Sequence, residues 1–310
     1  MHGALSDNSS RARRRATRSA LALCALALAA LFGACATAPG PDPSTPRAAD
    51  EPPYPVLLSS DKARRERALN TWATLARDAG AAANLPAPEL EPATATLRAL
   101  PSANAVALRL PLVEIKDGDK ESADEATRES LRRFIAGARD LLGVTTEDLS
   151  LVGIDSDKPG AGVALYQQKP FPFPLRGGYG RVEIRFASDR TVLALSSTAI
   201  PDTERLARAL AAARARAISS DVVVKRLAGR AFDVTTTAGA SQTYTVAAGE
   251  RVEARELVVY PVARVSDPNT LELRLAWETA VGRGGGVLAY VDAVTGDVLA
   301  ATRSSQAARP

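Results

Sequence analysis

The chain is poor in the side chains that most catalytic and redox chemistry uses. Its 310 residues include one His, one Met, two Cys and two Trp, and only 5% are aromatic. Met1 and His2 both stand at the N-terminus, and beyond residue 34 there is no His and a single thiol, Cys35. For that remainder, His-containing zinc sites, Ser-His-Asp and Cys-His catalysis and an internal disulfide are excluded. An excess of one charge is equally scarce there. Residues 1–34 hold five arginines (Arg11, Arg13, Arg14, Arg15 and Arg18) against Asp7 alone, and taking these from totals of 39 basic and 35 acidic residues leaves 34 of each. The net charge of +4 belongs to the N-terminus, so no nucleic-acid partner is expected. No cofactor or metal is expected either. Asp117, Asp119, Glu121, Asp124 and Glu125 bracket a turn and a helix start, where acids favour the helix dipole rather than mark a calcium site. About 276 residues remain, enough for a sizeable core in one or two domains.

What is present begins with an export pattern. The Arg11–Arg18 cluster precedes an apolar run, Ala20–Phe32, that is shorter than the roughly 20 residues a spanning helix needs. Gly33 and Ala34 are small, and Cys35 follows. Leu31-Phe32-Gly33-Ala34-Cys35 resembles a bacterial lipobox, with Phe32 where Leu is usual. That resemblance implies cleavage before Cys35, lipidation of its thiol, and a membrane contact through the lipid. An ordinary signal peptide with an incidental Cys35 is the alternative. Ala36 follows in place of the Asp that retains lipoproteins in the inner membrane, so the implied place is the cell envelope, at the outer membrane, facing the periplasm or the surface. Seven prolines between Pro39 and Pro55, mixed with Gly, Ser, Thr and Asp, predict an extended tether over residues 35–60.

The body alternates helical and strand periodicity. Asp61–Ala79 is predicted as a helix capped by Asp61 and stopped by Gly80, with Leu69, Trp72, Leu75 and Ala76 on one face. Thr94–Leu100 and Ala105–Val113 are predicted as strands. Ser122–Leu142 is the strongest helix, opened by a Ser122–Glu125 capping box, with a stripe of Leu131, Phe134, Ile135, Ala138 and Leu142 and a stop at Gly143. Strands follow at Leu149–Ile154, Val163–Gln168, Arg181–Ala187 and Val192–Ala199. Helices are expected at Thr203–Ala217 and Ser219–Leu227. Six further strands lie at Ala231–Thr236, Gln242–Val246, Glu256–Val262, Leu271–Ala280, Val287–Val291 and Val298–Ala301. The pattern is α+β, in two small domains, each a helix packed on an antiparallel curled sheet.

Two stretches carry a resemblance. Tyr166-Gln167-Gln168 is followed at a fixed interval by Pro174 and Gly177-Gly178, and the chain then runs to Ile200-Pro201-Asp202. This is similar to the fungalysin/thermolysin-type propeptide (FTP) module, which is cystatin-like. The second stretch runs through Tyr260-Pro261, Trp277-Glu278 and Tyr290-Val291-Asp292-Ala293-Val294-Thr295-Gly296, and resembles the PepSY module that follows the first in thermolysin-like prosequences. The export pattern and proline-rich stretch give a signal peptide at 1–34 and a lipidated tether at 35–60, and the resemblance implies an N-terminal helix with an FTP-like domain at 61–201, a PepSY-like domain at 202–301 and a flexible tail at 302–310.

The same residues also make sense without the family. Tyr166 and Gln168 share one side of a strand and Gln167 takes the other. Gly177-Gly178 admits positive φ at a reversal, Trp277 anchors a sheet core beside Leu275, and Asp292–Gly296 is a hairpin turn with Gly296 left-handed. The proline-rich Lys169–Leu175 is either a peptide-binding lip or a covered loop, and the Gly284–Gly286 run is a hairpin tip. Nine residues follow Ala301, and no His-Glu-x-x-His helix occurs. The resemblance therefore implies a non-catalytic prosequence-like body that binds a thermolysin-like metallopeptidase in trans, as inhibitor or folding chaperone. The alternative is an envelope binding or scaffolding module with no peptidase partner.

Overall fold

The computed structural model describes residues 53–81, 86–101, 106–114, 120–158, 160–283 and 286–303. Cys35, most of the expected tether, Gly284 and Gly285 lie outside them. The architecture is mixed α+β, built mostly from open, antiparallel sheets with few helices.

Helix α1, Lys62–Asp78, starts where expected: the Asp61 carboxylate accepts from the Arg64 N–H at 2.6 Å. It ends at Gly80, where φ is +75°. Ala68, Trp72 and Ala76 form its buried stripe, while Leu69 and Leu75 are only half-buried. The strand expected at Thr94–Leu100 is shorter. Ala95 takes a positive φ of 55° and breaks the extended run, so only Leu97–Ala99 (β3) pairs, with Glu89–Leu90 (β2). The strand expected at Ala105–Val113 forms no ladder. Leu108 and Leu110 are buried as its alternation predicts, but pairing stops at one bridge, Arg109 to Thr191, where the partner chain turns at Arg190 with φ +70°.

Helix α2 spans Lys120–Gly137, and α3, Arg139–Leu142, follows after a break at Ala138. Ser122 therefore lies inside the first turn of α2, and the expected capping box does not open the helix. The apolar stripe holds: Leu131, Phe134, Ile135, Ala138 and Leu142 are all buried, and Gly143 closes α3 in the left-handed region. They pack on one face of a four-stranded antiparallel sheet in the order β4 (Leu149–Lys158), β5 (Ala161–Gln168), β6 (Arg181–Ala187) and β7 (Val192–Ser197). The inner positions Ala164, Tyr166, Val182, Ile184 and Leu195 complete this core.

The second sheet has seven strands. Its path runs β1 (Val56–Ser59), β11 (Asp267–Val281), β12 (Val287–Asp292), β13 (Val298–Arg303), β8 (Ala231–Thr235) and β9 (Ser241–Thr245). β10 (Val252–Arg264) pairs β11 along its other edge. Its pairings are antiparallel except that of β13 with β8. Helices α4 (Thr203–Arg214) and α5 (Ser220–Leu227) bury Leu206, Leu210, Val223 and Leu227 against one face.

Two expected boundaries move. The tether was expected to run to residue 60, yet Val56–Ser59 is a strand paired with Thr270–Leu273 of β11. Alternate side chains decide this: Val56 and Leu58 are buried and Leu57 is not, so one face of the segment has a core to enter. The tail was expected from Thr302, yet Thr302 and Arg303 are the last residues of β13 and pair with Leu288 and Val287. A shared apolar cluster joins the two sheets. Phe171, Leu175 and Ile200 meet Val56, Leu58, Leu206, Leu210, Val259, Leu271 and Leu273 in it, and residues 52–310 form one compact unit.

Candidate functional site

A cleft of about 740 Å³ lies where the end of β5 and the loop after it approach the second sheet. β5 brings Gln167 and Gln168, the loop brings Pro174, Arg176, Gly177 and Gly178, and β10 and β12 bring Tyr260 and Tyr290. Those two strands belong to the other resembling stretch, so residues from both motif sets line one space. Its volume falls in the range of small-ligand pockets.

Strand alternation places the Tyr-Gln-Gln residues. Tyr166 and Gln168 point inward and are buried, and Gln167 faces the other side. Gln168 is 3% exposed, and its amide copies a ladder rung: Oε1 accepts from the Ile200 N–H at 2.9 Å and Nε2 donates to the Ile200 carbonyl at 2.8 Å. It ties β5 to the segment leading into α4, which is why an uncharged amide suits this site. Tyr166 does not reach the cleft. It lines a separate hollow beside α2, and burial pushes its phenol up to about 12.

The loop is only partly covered: Lys169, Pro170 and Pro172 are exposed, and Pro170 and Pro174 line the cleft. Phe171 and Leu175 are buried in the shared cluster. The Val259 N–H donates to the Pro174 carbonyl at 2.8 Å and the Arg176 N–H to the Val259 carbonyl at 3.0 Å, so the loop adds a parallel rung to the outer edge of β10. Gly177 and Gly178 both have positive φ. A Cβ on Gly177 would stand 3.2 Å from the Tyr260 ring, so only glycine lets the loop lie this close.

Arg176 fills the space behind the loop. Its Nε donates to Glu278 Oε2 at 2.7 Å, and its other end pairs with Glu256. Burial works against its charge, but the Glu278 hydrogen bond and the charges of Glu278 and Glu256 outweigh it, and its pKa rises. The Tyr260 and Tyr290 rings are 4.6 Å apart at 32°. Burial raises both phenols; Tyr290 reaches about 12, helped by the Glu278 charge. Both stay neutral donors at physiological pH.

The remaining motif residues build the sheet. Pro261 is buried in β10 opposite Leu273. Trp277 is half-buried on the helix-covered face, where its indole N–H donates to the Ile218 carbonyl at 3.0 Å. It anchors that core from its edge rather than its centre. Asp292 has no exposure. Its carboxylate accepts from the Val294 and Thr295 N–H groups at 2.8 and 3.0 Å, from Arg274 at 2.9 Å and from the Tyr54 hydroxyl at 2.9 Å. Gly296 closes the turn at φ +80°, donating to the Asp292 carbonyl at 2.8 Å. Thr295 is held through its carbonyl by Arg226 and through its hydroxyl by Asp297. Asp292, Thr295 and Gly296 are thus the turn residues the pattern predicts, away from the cleft.

Sequence reasoning missed Arg176, Arg274 and Tyr54. Arg176 lay between motif positions, and Tyr54 was assigned to the tether. The Tyr54 hydroxyl bridges Asp292 and the Leu275 N–H where β11 passes from β1 to β12, and burial, then the Asp292 charge, raises its pKa. No signal within the sequence joins residues that far apart.

The cleft offers phenols, amides and guanidiniums, and no carboxylate among its described lining residues. Among the described residues, no three His, Cys, Asp or Glu side chains gather as a metal site would require. The described lining can stack against aromatic faces and make hydrogen bonds. In comparison with known proteins, no family model matches the chain, and no curated protein is significantly similar to it.

Proposed function

We propose that this chain is a non-catalytic, lipid-anchored envelope protein built like a stand-alone metallopeptidase prosequence. Its role is to bind a thermolysin-like peptidase in trans, as inhibitor or folding chaperone. In this reading the four-stranded sheet with α2 and α3 is the cystatin-like module, and the seven-stranded sheet is the PepSY module. Cys35 carries the lipid, and residues up to 52 link it to the body.

One observation supports this most. Motif residues picked from two separate stretches, Gln167, Gln168, Pro174, Gly177 and Gly178 from one and Tyr260 and Tyr290 from the other, line a single cleft. Arg181, exposed at its rim, has no ion-pair partner among the described residues and is free to meet a partner's carboxylate. Thr302, near the chain's end, lines the same cleft. The scaffold reading is favoured by a different fact: Gln168 and Arg176 are already engaged within the chain.

The test is titration of the soluble body against each secreted metallopeptidase of the source cell, reading activity and refolding yield. Inhibition or improved refolding, weakened about tenfold by Arg181→Glu with no change in melting temperature, is the expected result. No binding at tens of micromolar to any of them would leave the scaffold reading in its place.

A further inference from the structure

The two edges of the four-stranded sheet are treated differently. Beyond β7, the segment around Arg109 closes the edge: Leu110 N–H donates to the Arg190 carbonyl at 2.9 Å and Val192 N–H to the Leu108 carbonyl at 2.8 Å. β4 pairs only with β5, and its outer edge is open among the described residues. The ladder fixes which groups face out. Gln168 N–H is turned to the Gly180 carbonyl on the β6 side, so by antiparallel alternation its partner Leu149, and then Leu151, present N–H and C=O outward. A bulge after Leu151 shifts the parity, and Ile154, opposite Ala164, becomes the next outward residue. Exposed edges are usually blunted by charge. Here the charged residues of β4, Asp155, Asp157 and Lys158, come only after Ile154, and before them Val152 is 63% exposed and Ile154 36%.

Beside this edge lies a hollow of about 200 Å³, walled by Ile135 of α2, Leu149, Leu151 and Tyr166, with Arg128 and Arg132 also lining it. No acid lines it. Arg132 is held by Glu129, and Arg128 has only a loose pairing with Glu125 at 3.6 Å. The Tyr166 hydroxyl makes no hydrogen bond among the described residues.

We propose that the β4 edge is a strand-addition site for an extended segment of a partner protein, which seats one bulky apolar side chain in the hollow and sets an acidic side chain against Arg128 and Arg132. Main-chain bonds to Leu151 and Ile154 supply affinity, and the hollow supplies the side-chain preference. The bulge limits pairing to a short segment. This site is separate from the cleft and does not depend on the peptidase reading.

The probe is a fluorescein-labelled nonapeptide of alternating Thr and Val with a central Leu and an Asp two residues beyond it on the same face, read by anisotropy and by amide shifts of Leu151 and Ile154. Saturable binding below about 1 mM is expected, with the largest shifts at those two amides. Ile154→Pro removes an N–H the ladder does not use and should weaken binding roughly tenfold or more. Thr146→Leu, which intrudes on the hollow, should weaken the Leu peptide but not one with Ala at the centre. Arg132→Glu should weaken the Asp peptide more than its Asn counterpart. If Ile154→Pro unfolds the sheet, Val152→Lys makes the same test at an exposed position. Absence of binding at 1 mM, binding indifferent to both edge variants, or a concentration-dependent dimer that Val152→Lys abolishes would overturn the proposal.

Discussion

The two sheets share a helix-on-sheet plan but secure themselves by different means. The four-stranded sheet is held by local packing: the stripe of α2 and α3 lies on strands that follow it directly in the chain. The seven-stranded sheet draws on distant segments. β1 comes from before the first helix, and the loop after β5 bonds to the outer edge of β10. The first sheet could be assembled from residues 120–200 with α1 and the β2–β3 pair; the second cannot be completed without residues 54–59 and 171–176. The shared cluster around Leu206, Leu273 and Phe171 makes the two interdependent. Stretches that read as separate in the sequence are thus joined by an apolar junction that draws side chains from both sheets and the loop between them.

The sharpest way to break that comparison is Leu273→Ala. Leu273 is fully buried in the junction, and its truncation should cost about 2–5 kcal/mol. Trp72 reports the first core and Trp277 the second, so denaturation of the two single-Trp variants should give coincident transitions that shift together. Separate transitions would show two independent cores.

Gln168→Ala is next. It leaves the buried Ile200 N–H and carbonyl without their amide partner, at a cost of about 1–3 kcal/mol. Amide exchange at Ile200 should speed up, and exchange in β12 should not; faster exchange in both would place this bond in the shared unit.

A smaller loss, about 1–2 kcal/mol, is expected for Tyr54→Phe, which removes one of four groups bonded to the Asp292 carboxylate. Val56 and Leu58 amides should lose protection while β5 and β6 keep theirs. Unchanged protection of β1 would mean that side-chain burial alone holds the strand.

The last expectation has no effect at neutral pH. The Tyr166 and Tyr290 phenols, one from each sheet, ionise at about 12 rather than the usual value near 10. A raised pKa means that the native state favours the neutral phenol. Its contribution is complete below pH 10 and is lost as pH climbs toward about 12. Absorbance at the phenolate band should show both residues titrating late, each signal removed by its own Tyr→Phe variant. Ionisation of either near pH 10 in folded protein would contradict its burial.

Much of this was legible in the residues, where the information is local. The stripe from Leu131 to Leu142 repeats at helical spacing, and its burial follows because one face must leave water. The glycines at 143, 177, 178 and 296 stand where φ is positive, which the absence of a side chain allows. The alternation that put Gln168 on the inner face was readable, but its partner was not, since Ile200 is reached only after two intervening strands. The failures share a cause. Ser122 fits a capping box whether the helix begins there or two residues earlier. Residues 54–59 look like more tether until a sheet edge is available to receive them.

The sequence by itself determined the helical stripes, the turn positions and the lack of histidine beyond residue 34. Each depends on residue identity at short spacing, and folding leaves it intact. Tertiary structure alone decided that residues of two stretches share one cleft, that Tyr54 closes over Asp292, and that among the described residues β7 is covered while β4 is open. Those outcomes depend on which distant edges meet. Main-chain N–H and C=O groups are the same at every residue, so the pairing of two edges leaves little trace in either sequence and is settled by the packing of the whole body.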